Sequence, residues 1–139
     1  MILDSLKDTL RFDHIGIAVT DFEPAIALYS QMGYTCSKPV IDPLQNVDLV
    51  MCYSDTMPNI ELVKPLDIHS PINSLLKNNS ESLYHTCFGV SDLKKTIETI
   101  KKTHRVICVK HPKPAILFNN KPVSFYYING IGLVEFLEE

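Results

Sequence analysis

The chain repeats itself. Residues 12–22, Phe-Asp-His-Ile-Gly-Ile-Ala-Val-Thr-Asp-Phe, return in outline 71 positions later as Leu-Tyr-His-Thr-Cys-Phe-Gly-Val-Ser-Asp-Leu, so that His14 answers His85, Val19 answers Val90 and Asp21 answers Asp92. Each copy also ends in a short apolar run holding one glutamate, Ile60-Glu61-Leu62-Val63 and Val134-Glu135-Phe136-Leu137, 47 and 50 residues after its histidine. A duplicated chain of this kind builds two like modules, and each module here offers one imidazole and one carboxylate.

From Phe12 to Val19 the side chains alternate, with His14, Gly16 and Ala18 against Ile15, Ile17 and Val19. Period two with β-branched residues predicts a strand whose one face is bulky and whose other face is a histidine beside two small residues. Asp21 is placed to cap a helix bearing Phe22, Ala25, Ile26, Tyr29 and Met32 on one face, and Gly33 can close it in the left-handed conformation. Residues Tyr34–Lys38, Gln45–Tyr53 and Asn59–Lys64 then predict three short strands, separated by Pro39, by Asp42-Pro43 and by the turn signal over residues 55–58. The first module is therefore βαβββ over about residues 11–66.

Residues 67–82 form the expected linker, rich in Asp, His, Ser, Pro and Asn around Ile72, Leu75 and Leu76, with room for one short helix. The second module, about residues 83–139, repeats the order: a strand Tyr84–Val90, a helix opened by Ser91-Asp92, and segments at Arg105–Val109, Ala115–Phe118, Val123–Ile128 and Leu133–Leu137. Leu3, Leu6 and Leu10 stand at helical spacing and predict a short helix or an irregular lead-in over Met1–Leu10. The whole chain, 1–139, reads as one α+β domain.

Composition narrows the partners. With 45% hydrophobic and 21% charged residues, the 139-residue chain has the balance of a globular protein with a sizeable core. A net charge of −3 without a basic stripe argues against nucleic acid, and no apolar run approaches the ~20 residues of a membrane span. A cytoplasmic, unanchored protein with a small-molecule substrate is the expectation. The four cysteines, Cys36, Cys52, Cys87 and Cys108, include no C-x-x-C pair, so they read as reduced, buried thiols and leave imidazole and carboxylate as the metal-binding set.

Strand geometry sends Glu61 and Glu135 to the face opposite their apolar neighbours, and it sets small residues beside both histidines, which predicts a cavity. His14, Glu61, His85 and Glu135 together suit a divalent ion of borderline hardness, cobalt, nickel, zinc or manganese, with positions left for water or substrate. His69, His104 and His111 have no repeat partner and read as surface residues. Asp48 is a further candidate acid, with a solvent-facing strand position as the plainer reading. Tyr29, Phe125 and Tyr127 are candidate aromatic platforms that serve equally as core.

This pattern resembles the vicinal oxygen chelate superfamily, whose βαβββ modules pair into a U-shaped mixed sheet around a metal. Within it, Asp13-His14-Ile15-Gly16-Ile17-Ala18-Val19, the stretch Glu61-Leu62-Val63-Lys64-Pro65-Leu66, Ser70-Pro71-Ile72 and Tyr84-His85-Thr86-Cys87-Phe88 resemble the methylmalonyl-CoA epimerases. The resemblance implies that His14, Glu61, His85 and Glu135 are the metal ligands. It also implies proton abstraction next to a carbonyl through a metal-stabilised enediolate, with Glu135 as ligand and proton acceptor and Glu61 as ligand and second base. An acyl-CoA thioester is the implied substrate, its anionic coenzyme arm meeting Lys64, Lys110 or Lys113 at the rim, and a homodimer the implied assembly.

Two other readings share the superfamily. Glyoxalase I of bacterial type, a lactoylglutathione lyase, carries the same His, Glu, His, Glu set, whereas the epimerases often have Gln where this chain has Glu61. Against glyoxalase I, the segment Thr20-Asp21-Phe22 holds no arginine, and Ile128-Asn129-Gly130-Ile131-Gly132 replaces the acidic Asp-Pro turn before the last strand. Antibiotic-sequestering members, such as bleomycin resistance proteins, generally lack the metal set. A ring-cleaving dioxygenase would need two His and one Glu, so Glu61 is one acid too many.

Overall fold

The computed structural model describes residues 5–139. The short helix or irregular lead-in expected over Met1–Leu10 lies partly outside them; within them, residues 7–9 form a turn and the first strand already begins at Leu10. The first module contains strand β1 (Leu10–Val19), helix α1 (Phe22–Gln31), and strands β2 (Thr35–Cys36), β3 (Val40–Asp42), β4 (Val47–Tyr53) and β5 (Asn59–Pro65). The second contains β6 (Glu81–Val90), α2 (Leu93–Lys101), β7 (Val106–Ala115), β8 (Lys121–Ile128) and β9 (Gly132–Glu138). One sheet joins them in the order β2-β4-β5-β1-β6-β9-β8-β7, with β3 also on β4.

The repeat explains that order. Strands β1 and β6, which carry the duplicated motif, pair antiparallel at the centre, and each takes the last strand of its own module as a parallel neighbour, β5 beside β1 and β9 beside β6. The modules thus face each other across the β1–β6 seam with equivalent residues on the same face. The sheet curls around that face, so that Leu49 of β4 and Val123 and Phe125 of β8 line one pocket. The expected α+β architecture of two βαβββ modules is present.

Local chemistry sets the element ends. Asp21 Oδ1 accepts a hydrogen bond from the Glu23 N–H at 3.1 Å, Asp92 Oδ1 accepts from the Lys95 N–H at 3.0 Å, and Gly33 takes φ of +101° after the first helix. Both helices cover the outer face. Phe22 packs with Val19, Val50 and Leu62 in the first module, and Ile97 with Val90, Val134 and Phe136 in the second. The linker covers the inner face instead: a 3₁₀ turn, Pro71–Ser74, inserts the fully buried Ile72 among Ala18, Val47, Leu49 and Val63.

Three expectations are corrected here. Strand β3 was read as part of a break after Pro39, yet β2 and β3 both pair with β4 and form one interrupted edge strand. The segments Arg105–Val109 and Ala115–Phe118 are not two strands, because β7 runs on through Pro112 and Pro114 and only Ile116–Phe118 turns, as 3₁₀. Proline is tolerated there since β7 is the sheet edge and a missing N–H costs no ladder bond on its outer side. The four thiols are free, but only Cys52 and Cys87 are buried; Cys36 is half-buried with its Sγ 2.7 Å from that of Cys52, and Cys108 is exposed.

Candidate metal centre

Register brings the four candidate ligands together. Gly16 on β1 is in register with both Glu61 on β5 and His85 on β6, and Cys87 is in register with both His14 and Glu135. All four ligand side chains are buried, and one donor atom from each lies within 4.8 Å of all the others. His14 Nε2 is 3.1 Å from His85 Nε2, and each stands 3.2 Å from Glu135 Oε1; Glu61 Oε1 is 3.5 Å from the first and 3.7 Å from the second. The site is complete within one chain.

The donor set fits a divalent ion. Ligands held ~2.1 Å from a common ion stand roughly 3.0–3.4 Å apart along the edges of a coordination polyhedron, close to most of these separations. Two carboxylates buried side by side also require a cation. Burial opposes a charge on His14, but the carboxylate of Glu61, with Asp13, Cys87 and Glu135, raises its pKa well above the ordinary imidazole value. Burial likewise pushes Glu135 upward, yet the charge of His85 and hydrogen bonding to His14 and His85 outweigh it and hold the carboxyl well below its usual range. A bound divalent ion would replace the proton on His14.

Each imidazole has its own support. His14 Nδ1 stands 2.6 Å from Asp13 Oδ2, so an Nδ1–H donates to that carboxylate and the Nε2 lone pair is turned to the cluster. Neighbours in a strand normally face opposite ways, and a β-bulge removes the conflict. Phe12 pairs with Phe88 and His14 with Cys87, leaving Asp13 as the extra residue. A second bulge leaves Tyr84 extra on β6, at the position equivalent to Asp13 in the repeat. There the support is aromatic: the His85 ring meets Tyr84 edge-on at 4.6 Å and Phe125 at 5.2 Å, while its Nδ1 has no hydrogen-bond partner among the described residues. Phe118 stacks on His14 at 5.6 Å.

Residues 13–125 match the Glyoxalase/Bleomycin resistance protein/Dioxygenase superfamily. The chain belongs to that superfamily. An ethylmalonyl-CoA/methylmalonyl-CoA epimerase of Cereibacter sphaeroides is 34% identical over 122 residues, which is 84% of this chain and 87% of that protein. The mitochondrial methylmalonyl-CoA epimerase of Dictyostelium discoideum is 31% identical over 134 residues, 93% of this chain and 78% of that protein. The crystal structure of methylmalonyl-CoA epimerase from Mycobacterium tuberculosis matches with a TM-score of 0.75 at 26% identity, covering 99% of this chain and 92% of that one.

This member of the glyoxalase superfamily has a pocket lined by Glu61, His85 and Glu135. Of the other residues singled out from sequence, Phe125 and Lys110 line it. Asp48 does not: it alternates with the pocket residues Val47 and Leu49 and lies in register with Lys64 on the opposite face. Lys64 is also withdrawn from the rim, its Nζ 4.7 Å over the Phe22 ring beneath α1. Tyr29 packs on Tyr34, and Tyr127, Lys113, His69, His104 and His111 are exposed.

Sequence reasoning passed over Asp13, Tyr84 and Phe118 as site residues, and it passed over Asp42. That buried acid accepts from the Gln45 N–H and, through its second oxygen, from the Ile116 N–H at 3.2 Å, tying the two modules together at the pocket edge. A direct check on the supporting role of Asp13 is Asp13→Asn, which keeps the shape and removes the charge. Metal affinity, read by competition with a chromophoric chelator, is expected to fall about 10–100-fold. Unchanged affinity would show that the imidazole needs no carboxylate behind it.

Proposed function

We propose that the chain is a divalent-metal-dependent epimerase of a 2-carboxyacyl-CoA thioester, of the methylmalonyl-CoA class. The observation that carries this reading is the meeting of two imidazoles and two carboxylates, from equivalent positions of the two modules, at a pocket that Glu61, His85 and Glu135 line. His14, Glu61, His85 and Glu135 would hold the ion, and a borderline cation such as cobalt, nickel, zinc or manganese suits that set. When bound, the ion supplies Lewis-acid stabilisation for the negative charge that develops on a carbonyl oxygen as the adjacent carbon loses its proton.

The chain's own residues move the proton. Glu135, kept in its ionised form, accepts it from the carbon between the two carbonyl groups. Glu61 approaches from the other module, since β5 and β9 flank the β1–β6 pair on opposite sides. A carboxylate on each side lets the proton leave one face of a flattened carbon and return to the other, which is epimerisation. The buried Val123 and Phe125 keep the pocket wall apolar, where charge interactions are stronger than in water. Assembly as a homodimer belongs to the same proposal, as does residence in the cytoplasm; among the described residues no helix is long and apolar enough to cross a membrane.

The test is exchange of the substrate α-proton with solvent deuterium, read by mass spectrometry on methylmalonyl-CoA with cobalt-loaded protein. Incorporation of one deuterium supports the epimerase. Turnover of glutathione hemithioacetal without exchange on methylmalonyl-CoA would replace it with the lactoylglutathione lyase reading.

A further inference from the structure

Among the described residues, Lys110 is the one cationic side chain lining the pocket that holds Glu61, His85 and Glu135. On β7 it is in register with Phe125 of β8, which is in register with Glu135 of β9, so the three form a row across the curled sheet. Its ammonium lies 5.7 Å from the centre of the Phe125 ring, and that ring meets His85 edge-on. The expected place at the rim is therefore corrected: Lys110 stands on the pocket wall, and Lys113 stays exposed outside.

Lys110 is half-buried, and among the described residues no carboxylate forms an ion pair with it. Burial first, and the nearby Lys113 second, press its pKa down, with Glu135 pulling weakly the other way. A partly desolvated ammonium whose near neighbour is a ring and not a carboxylate is a cost to the fold unless an anion pairs with it. The same pocket presents a second unused donor, the buried Nε2 of Gln45 from the first module. Charge balance says what is missing. A divalent ion and two carboxylates sum to zero with both imidazoles neutral, so an acyl group bearing a free carboxylate brings an uncompensated negative charge into walls made of Leu49, Val123 and Phe125.

We propose that Lys110 is a specificity residue: its ammonium pairs with the free carboxylate of the acyl group and selects dicarboxylic acyl thioesters over monocarboxylic ones. The assignment rests on the acyl-thioester reading above. It differs from a role in holding the coenzyme, whose phosphates are common to both kinds of substrate.

Calorimetric titration separates the two. Cobalt-loaded parent, Lys110→Met and Lys110→Arg proteins are titrated with methylmalonyl-CoA and with propionyl-CoA, which has the same coenzyme and no carboxylate, after metal content has been checked. Lys110→Met is expected to weaken methylmalonyl-CoA about 10–100-fold and propionyl-CoA by less than about 2-fold, with Lys110→Arg restoring most of the difference. Equal losses for both ligands would assign the ammonium to the coenzyme phosphates and overturn the proposal, as would no loss for either. If the parent binds neither thioester, the epimerase reading itself falls and this assignment falls with it.

Discussion

Glu135→Gln is expected to lower α-proton exchange on methylmalonyl-CoA by about 10²–10⁴-fold while the protein remains folded. The carboxylate is buried, its Oε1 lies 3.2 Å from the Nε2 of both histidines, and glutamine reproduces its volume and one of its oxygens. What glutamine cannot do is accept a proton from carbon. Glu61→Gln is the informative companion, because the epimerases this chain resembles often carry glutamine there. It should retain far more exchange than Glu135→Gln and lose mainly the return of the proton to the opposite face. Exchange is followed by mass spectrometry and the fold by circular dichroism. Preserved exchange in Glu135→Gln would remove that residue from the reaction.

Gly16→Ala should be nearly as damaging, though residue 16 bears no functional group. A Cβ built there would fall on the His85 ring, with Nδ1 at 2.5 Å and Nε2 at 2.7 Å. Tyr84 and Phe125 flank the ring edge-on at 4.6 Å and 5.2 Å and limit how it can shift. One methyl group therefore either displaces a metal ligand or pushes apart the two central strands. Metal affinity is expected to fall at least about 100-fold, and stability by about 1–3 kcal/mol as for other overpacked cores. A chelator competition and a urea midpoint read the two effects. Parent-like affinity would show that His85 is not positioned by this close approach. The repeat makes the point sharper: Cys87 occupies the position equivalent to Gly16 and is in register with His14, so only one of the two imidazoles needs a bare backbone beneath it.

How far the sequence could be read depends on the range of the interaction. The duplication marked equivalent strands in two like modules, and alternation put His14, His85, Glu61 and Glu135 on faces that their bulky apolar neighbours do not share, because side-chain direction in a strand is a local property. The same rule misled for Asp13. Strict alternation turns it away from His14, and only the bulge, which is a property of the β1–β6 pairing, turns it back. Edge strands were obscured in a similar way: the break at Pro39 hid the short β3 beyond it, and residues 110–114, with Pro112 and Pro114, were left between two segments although a proline on an edge strand costs no ladder bond when its missing N–H faces outward. Asp42 was read only as part of a turn with Pro43; the hydrogen bond it accepts from the Ile116 N–H spans 74 residues. Lys110 was seen only as one lysine among several, and its burial on the pocket wall arises from the curl of the sheet. Whether one chain or two close the site also lay beyond the sequence; pairing of β1 with β6 within one chain answers it.

The central claim is that these four side chains hold a catalytic metal, and metal content per chain tests it most directly. Parent protein and a His14→Ala, His85→Ala double variant are loaded with divalent cobalt, desalted and subjected to elemental analysis. The structure predicts about one ion per chain in the parent and near loss of it in the variant, with both proteins folded. Equal retention in the two, or none in either, would contradict a metal centre at the β1–β6 seam.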